Sequence, residues 1–144
     1  MRRAFEIIAR AAVFQRGKIL LCRRRGARWY FLPGGHIEFG SKAKDTLIRE
    51  FKEELGVSFT LRNNAFIGAL ENTYRDEREP HHELNLIFAG KISGQRAESR
   101  ERHIEFLWMR TGQLRTATIL PVALKRNLLR WMKDRRPFWE SEIR

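Results

Sequence analysis

Residues 34–57 read GGHIEFGSKAKDTLIREFKEELGV, and this stretch decides how the rest of the chain is understood. A glycine pair opens it. A periodic segment over residues 43–55 (AKDTLIREFKEEL) predicts a helix, with Gly56 as its C-terminal stop. Glu50, Glu53 and Glu54 stand at i, i+3 and i+4, so they share one side of that helix. Leu47, Ile48, Phe51 and Leu55 form the neighbouring apolar face, which is expected to bury. Clustered carboxylates repel one another, and hard dications with oxygen ligands relieve that repulsion. Mg²⁺ and Mn²⁺ are the natural cations for such a cluster. The Gly34-Gly35 pair permits a close backbone approach, and a bare carbonyl there is a candidate further ligand. Taken alone, an E-x-x-E-E helix face is more often simply solvated, here with Arg49 and Lys52 as ion-pair partners.

Outward from this stretch, two short apolar runs precede it. Residues 5–14 (FEIIARAAVF) and 19–22 (ILLC), joined by the turn at 15–18, predict a hairpin. Trp29–Leu32 predicts a third strand, stopped by Pro33-Gly34-Gly35. Downstream, residues 65–74, 83–92 and 104–109 read as strands, separated by polar loops at 75–82 and 93–102. A last amphipathic helix is expected from near Pro121 to about Asp134. It carries Leu124, Leu128, Trp131 and Met132 on one face and Arg126, Arg130 and Lys133 on another. This order predicts an α/β fold: a mixed β-sheet with a helix on each face, in one domain over residues 1–144.

The composition agrees. The chain has 144 residues, 42% of them hydrophobic and 11% aromatic, which suits a folded core and argues against disorder. No apolar run is long enough for a membrane helix. No apolar segment follows Arg2-Arg3, so a secretory signal is not expected. A single cysteine, Cys22, excludes an internal disulfide and makes a cytoplasmic location the default; it reads as a buried small hydrophobe. Lys and Arg total 29 against 17 Asp and Glu, a net charge of +12 that suits polyanionic partners such as nucleotides.

The whole stretch resembles the Nudix hydrolase box, G-x5-E-x7-R-E-U-x-E-E-x-G-U, where U is a bulky apolar residue. Gly35 opens the box, and Arg49-Glu50-Phe51-Lys52-Glu53-Glu54-Leu55-Gly56-Val57 closes it. Leu32-Pro33-Gly34 is similar to the usual lead-in, and Trp108 with Leu114 resembles a W-x5-L feature of many members. One position departs: the first box glutamate falls at 41, which is Ser41. Ser41 cannot support a metal site by charge. Glu38 and Asp45 are the neighbouring substitutes, and a capping role at the helix N-terminus is the other reading of Ser41.

The resemblance implies a Nudix-type α/β/α sandwich, with the box helix on one face and the C-terminal helix on the other. It implies hydrolysis of a diphosphate linkage in a nucleoside diphosphate joined to another moiety. Gly35, Glu50, Glu53 and Glu54 would hold the metal, with Glu53, Glu54 and Arg49 as catalytic residues, Arg49 positioning Glu53 or Glu50. Candidates for a general base outside the box are Glu71, Glu83, Glu98 and Glu101. Arg23, Arg28 and Glu83 are candidates for substrate contact. His81-His82-Glu83 reads mainly as loop-to-strand chemistry, and His36 and His103 as structural. Phe5, Trp29, Phe39 and Tyr74 are expected in the core more than on a base. A homodimer using Phe138-Trp139 is an open expectation, while extended nucleic-acid binding is disfavoured and no membrane partner is expected. RNA 5′-pyrophosphate removal and a nucleotide sensor with weak hydrolysis are the alternative functions.

Overall fold

Alternation along strand β1 (Phe5–Gln15) sets up two layers. Ala9, Ala11 and Val13 pack against Leu47, Phe51 and Leu55 of helix α1 (Ala43–Leu55). Ala12, one step out of phase, packs with Leu124, Leu128 and Trp131 of helix α2 (Val122–Asp134). Successive strand side chains point to opposite faces, so the two helices cover opposite sides of the sheet. The chain is thus the expected α/β/α sandwich. The computed structural model describes residues 4–95 and 97–144.

The remaining strands are β2 (Lys18–Arg24), β3 (Gly34–His36), β4 (Phe59–Arg75), β5 (Pro80–Ile92), β6 (Ile104–Arg110) and β7 (Phe138–Ser141). The order across the sheet is β6-β2-β1-β5-β4-β7, with β3 added to β1. The β1–β5 and β4–β7 pairs are parallel and the others antiparallel, so the sheet is mixed. Among the described residues, no helix is long and apolar enough to cross a membrane.

Helix α1 ends as its sequence predicts. Gly56 adopts φ 69°, and its N–H donates to the Lys52 carbonyl at 3.0 Å. Its start differs from the expectation. Lys42 is the N-cap residue and makes no side-chain cap, while the Ser41 N–H closes a turn on the Glu38 carbonyl at 2.9 Å. Ser41 therefore does not cap the helix.

Several other expectations are corrected. The third strand lies at Gly34–His36 rather than Trp29–Leu32, where only isolated bridges from Tyr30 and Phe31 form. Glycine places it there: a side chain at Gly34 would collide with the Ala9 carbonyl oxygen. Strand β4 starts at Phe59, because a bulge between Leu61 and Gly68 lets it pair past Asn63-Asn64. Strand β5 starts at Pro80, so His81 and His82 belong to the sheet. Strand β7 was not expected. Phe138 is buried against Gly68 in the chain's own core, so it is not available to a neighbouring chain, whereas Trp139 is exposed. Phe5, Trp29, Phe39 and Tyr74 are exposed rather than in the core, and Ile48 is only partly covered. Cys22 is buried as expected, and burial pushes its thiol well above the ordinary range.

Candidate active site

The glycine turn meets the acidic helix directly. A side chain at Gly35 would fall 2.6 Å from the Glu50 carboxyl, so only glycine leaves room for that carboxylate against β3. Glu50 is mostly covered, with 18% of its side chain exposed, and accepts from Arg49 Nη2 at 3.2 Å. Arg49 Nη1 lies 3.7 Å from the Glu38 carboxylate. The guanidinium is thus shared between a helix acid and an acid in the loop that precedes the helix. Hydrogen bonding to Glu50 raises the Arg49 pKa above its ordinary value.

Glu54 sits one turn beyond Glu50. Burial, then a hydrogen bond from Glu54 to Glu50 and the charges of Glu50 and Glu101, push the Glu54 carboxyl up to about 8; Arg10 acts the other way. The neighbouring carboxyls thus favour sharing a proton over both being ionised. The segment carrying Glu101 is tied to the helix end: the Arg100 N–H donates to the Glu54 carbonyl at 2.7 Å, and its guanidinium packs over Gly56. Glu53 is different. It is exposed, and its electrostatic influence falls on Arg49 rather than on Glu54. Glu50, Glu54 and Glu101 are thus brought together, and Glu53 stands at the rim.

The other candidates lie elsewhere. Arg23 donates to Glu105 at 2.8 Å and stacks over Tyr30, so its charge is already engaged on the β2–β6 side. Arg28 is exposed in the loop after β2. Glu71 faces His82 at 3.9 Å. Glu83 is buried and takes an N–H from Asn72 at 3.4 Å. His103 lies 3.4 Å from Glu101.

Arg10 is the residue the sequence reading missed. Its guanidinium donates to the Leu32 carbonyl and to Asn85 Oδ1, each at 3.1 Å. Asn85 donates in turn to Asn72 at 2.8 Å. A charged residue inside the apolar run FEIIARAAVF was the available signal, because a strand interior seldom keeps an arginine without partners. A concavity of about 790 Å³ lies between Thr111–Arg115 and α2 and is lined by none of these residues.

The donor set fits a hard dication. The Glu50 carboxylate packs against a glycine backbone with the Glu54 carboxyl hydrogen-bonded beside it, the donor atoms offered are all oxygens, and the upward pKa shift of Glu54 reflects burial beside like charge.

Comparison with known proteins bears on the family and the fold. A sequence profile described as NUDIX domain matches residues 5–132. An uncharacterised Nudix hydrolase of Bacillus subtilis, YvcI, is 40% identical over 40 residues, 28% of this chain and 25% of that protein. Aligned segments cover only a quarter to under a half of the first curated relatives' own length. Among solved structures, a mutator MutT protein from Bacillus halodurans superposes with a TM-score of 0.76 at 17% identity, covering 94% of this chain and 88% of that one. An ADP-ribose pyrophosphatase from Streptococcus suis gives 0.65 at 20% identity, covering 94% and 96%. At such identities the superpositions establish the shared fold.

Proposed function

The chain belongs to the Nudix family, and on that premise we propose that it is a divalent-metal-dependent hydrolase. Its substrate would carry a diphosphate linkage between a nucleoside and another moiety. The observation that carries this reading is the packing of Glu50 against Gly35, with Glu54 beside it and its pKa raised by burial and like charge.

Each residue has a role that follows from its surroundings. Glu50 and Glu54, with the Gly35 carbonyl, would hold Mg²⁺ or Mn²⁺, and Glu53 would complete the set from the rim. When bound, the cation neutralises diphosphate oxygens and lowers the pKa of water. Arg49 positions Glu50 by sharing its guanidinium between Glu50 and Glu38, so Glu38 does by charge what Ser41 cannot. Glu101 is the favoured general base, because its charge reaches Glu54 and its segment is fastened to the end of α1. Arg10 supplies positive charge that acts on Glu54.

The experiment is a phosphate-release panel with Mg²⁺ or Mn²⁺ over nucleoside triphosphates, dinucleoside polyphosphates, ADP-ribose and 5′-triphosphorylated RNA. Turnover of at least one free nucleotide substrate is expected. Turnover of RNA alone, with a steep salt dependence, would replace the substrate class. Ligand-induced thermal stabilisation without turnover under any metal would replace the enzyme with a sensor.

A further inference from the structure

We propose a second metal site, separate from the acidic helix, that takes a borderline dication of the Zn²⁺ class through Glu6, His36 and Glu83. The backbone brings these three together. Glu6 and Glu83 are direct partners in the parallel β1–β5 pair. His36 on β3 is the partner of Ile8, two residues from Glu6 on the same face of β1. One ligand atom from each lies within 4.8 Å of the others. Zn²⁺ bonds of about 2.1 Å need ligand atoms roughly 3–3.5 Å apart. The gap is small enough for side-chain rotation alone to close.

Glu83 is the buried member of the cluster. It is 6% exposed, and among the described residues the one hydrogen bond to its carboxylate is the long one from the Asn72 amide. Among the described residues no cation lies within ion-pair distance of it: the Arg10 guanidinium donates to Asn85 and Leu32, and His36 and His81 each pair with Glu6. A buried carboxylate so weakly compensated is costly, and a bound dication removes the cost.

The surroundings complete the site. His36 Nε2 is 2.8 Å from Glu6 Oε1, so an arriving cation displaces the proton they share. His81 donates through Nδ1 to Glu6 Oε2 at 2.7 Å and through Nε2 to Asp76 at 2.8 Å, and the Tyr74 ring stacks on it at 4.5 Å. That carboxylate–imidazole–carboxylate chain fixes the orientation of Glu6, as outer partners do in metal sites. His36 is 62% exposed on its side chain, which leaves an entry path from solvent. The imidazole separates this site from the all-oxygen acidic helix, because Mg²⁺ does not favour nitrogen ligands.

The test is calorimetric titration of the full chain with Zn²⁺ in saturating Mg²⁺, repeated with Co²⁺ read by its visible absorption. One equivalent is expected to bind, and Co²⁺ should show an imidazole-ligated spectrum. His36→Ala alters an exposed side chain and should weaken binding by at least about 100-fold. Glu83→Gln should do likewise, and its thermal unfolding reports whether it is folded. Glu54→Gln should leave Zn²⁺ binding intact. No binding, binding unchanged in His36→Ala, or binding abolished by Glu54→Gln would overturn the site. The last outcome would place the zinc on the acidic helix and leave the proposed hydrolase untouched.

Discussion

Replacing Glu54 with glutamine should stabilise the metal-free protein, and the gain should grow with pH. The native carboxyl is held at about 8 against an ordinary 4.5. A carboxyl with a raised folded pKa contributes stability that is complete below about pH 4.5 and is lost as pH rises through about 8. The full displacement corresponds to a ceiling of about 5 kcal/mol. Glu54 is only partly buried, and solvent screening reduces the expected effect to about 2 kcal/mol. Glutamine keeps a donor for Glu50 and carries no charge. In chelator at pH 8.5, Glu54→Gln should therefore melt about 4–8 °C above the parent. At pH 5 the two curves should nearly coincide. Mg²⁺ should raise the parent at pH 8.5 and move the variant much less, because a dication offsets the charge that the variant lacks. The assay is thermal unfolding across pH 5 to 8.5 with and without Mg²⁺. A variant that melts at or below the parent at pH 8.5 in chelator would refute the argument that Glu54 is electrostatically strained.

Further outcomes follow from the same geometry. Glu53→Gln and Glu54→Gln should each lower Mg²⁺-dependent turnover by about 100-fold or more, and unchanged turnover in both would remove the metal mechanism. Arg49→Gln frees Glu50 from Glu38 and should lower kcat by about 10-fold or more with little change in melting temperature, as misplacement of a reacting group does; an unchanged kcat would show that the pairing is ornamental. Phe138→Ala should cost about 3–5 kcal/mol in urea unfolding, since its ring fills the core beside Gly68. A loss below 1 kcal/mol on the same scale would show that β7 is not part of the core. Gly35→Ala should cut turnover and weaken Mg²⁺ binding together, because the new methyl takes the space of the Glu50 carboxyl; Mg²⁺ affinity equal to that of the parent would show that Glu50 has another place to go.

How much could be read in advance depends on whether the signal was local. The span of α1 is local: its periodicity, its capping glycine and its i, i+3, i+4 acids lie in one continuous run. The α2 helix was legible for the same reason. The third strand was displaced because local propensity favoured Trp-Tyr-Phe-Leu, whereas the pairing partner on β1 required residues with no side chain. Strand β7 was invisible. Four residues after an arginine-rich helix end carry no periodicity, and only the parallel edge of β4 makes them a strand. The exposed aromatics were misjudged for a related reason. Burial belongs to the neighbours a residue acquires, and Phe39 on the loop before α1 acquires none that cover it.

The amino-acid order by itself determined the acid-bearing helix, the glycine pair before it and the alternating sheet, because each is a property of spacing along one segment. Tertiary structure alone decided which acids meet. Glu50 turns toward the glycine strand, Glu54 lies beside Glu50, Glu53 is exposed, and the charges of Glu101 and of Arg10, from a strand some forty residues away, act on Glu54. It also gathered Glu6, His36 and Glu83, which no spacing rule links, on one end of three strands. The physical reason is that charge interactions depend on distance and burial, and both are fixed only when the sheet closes under its helices.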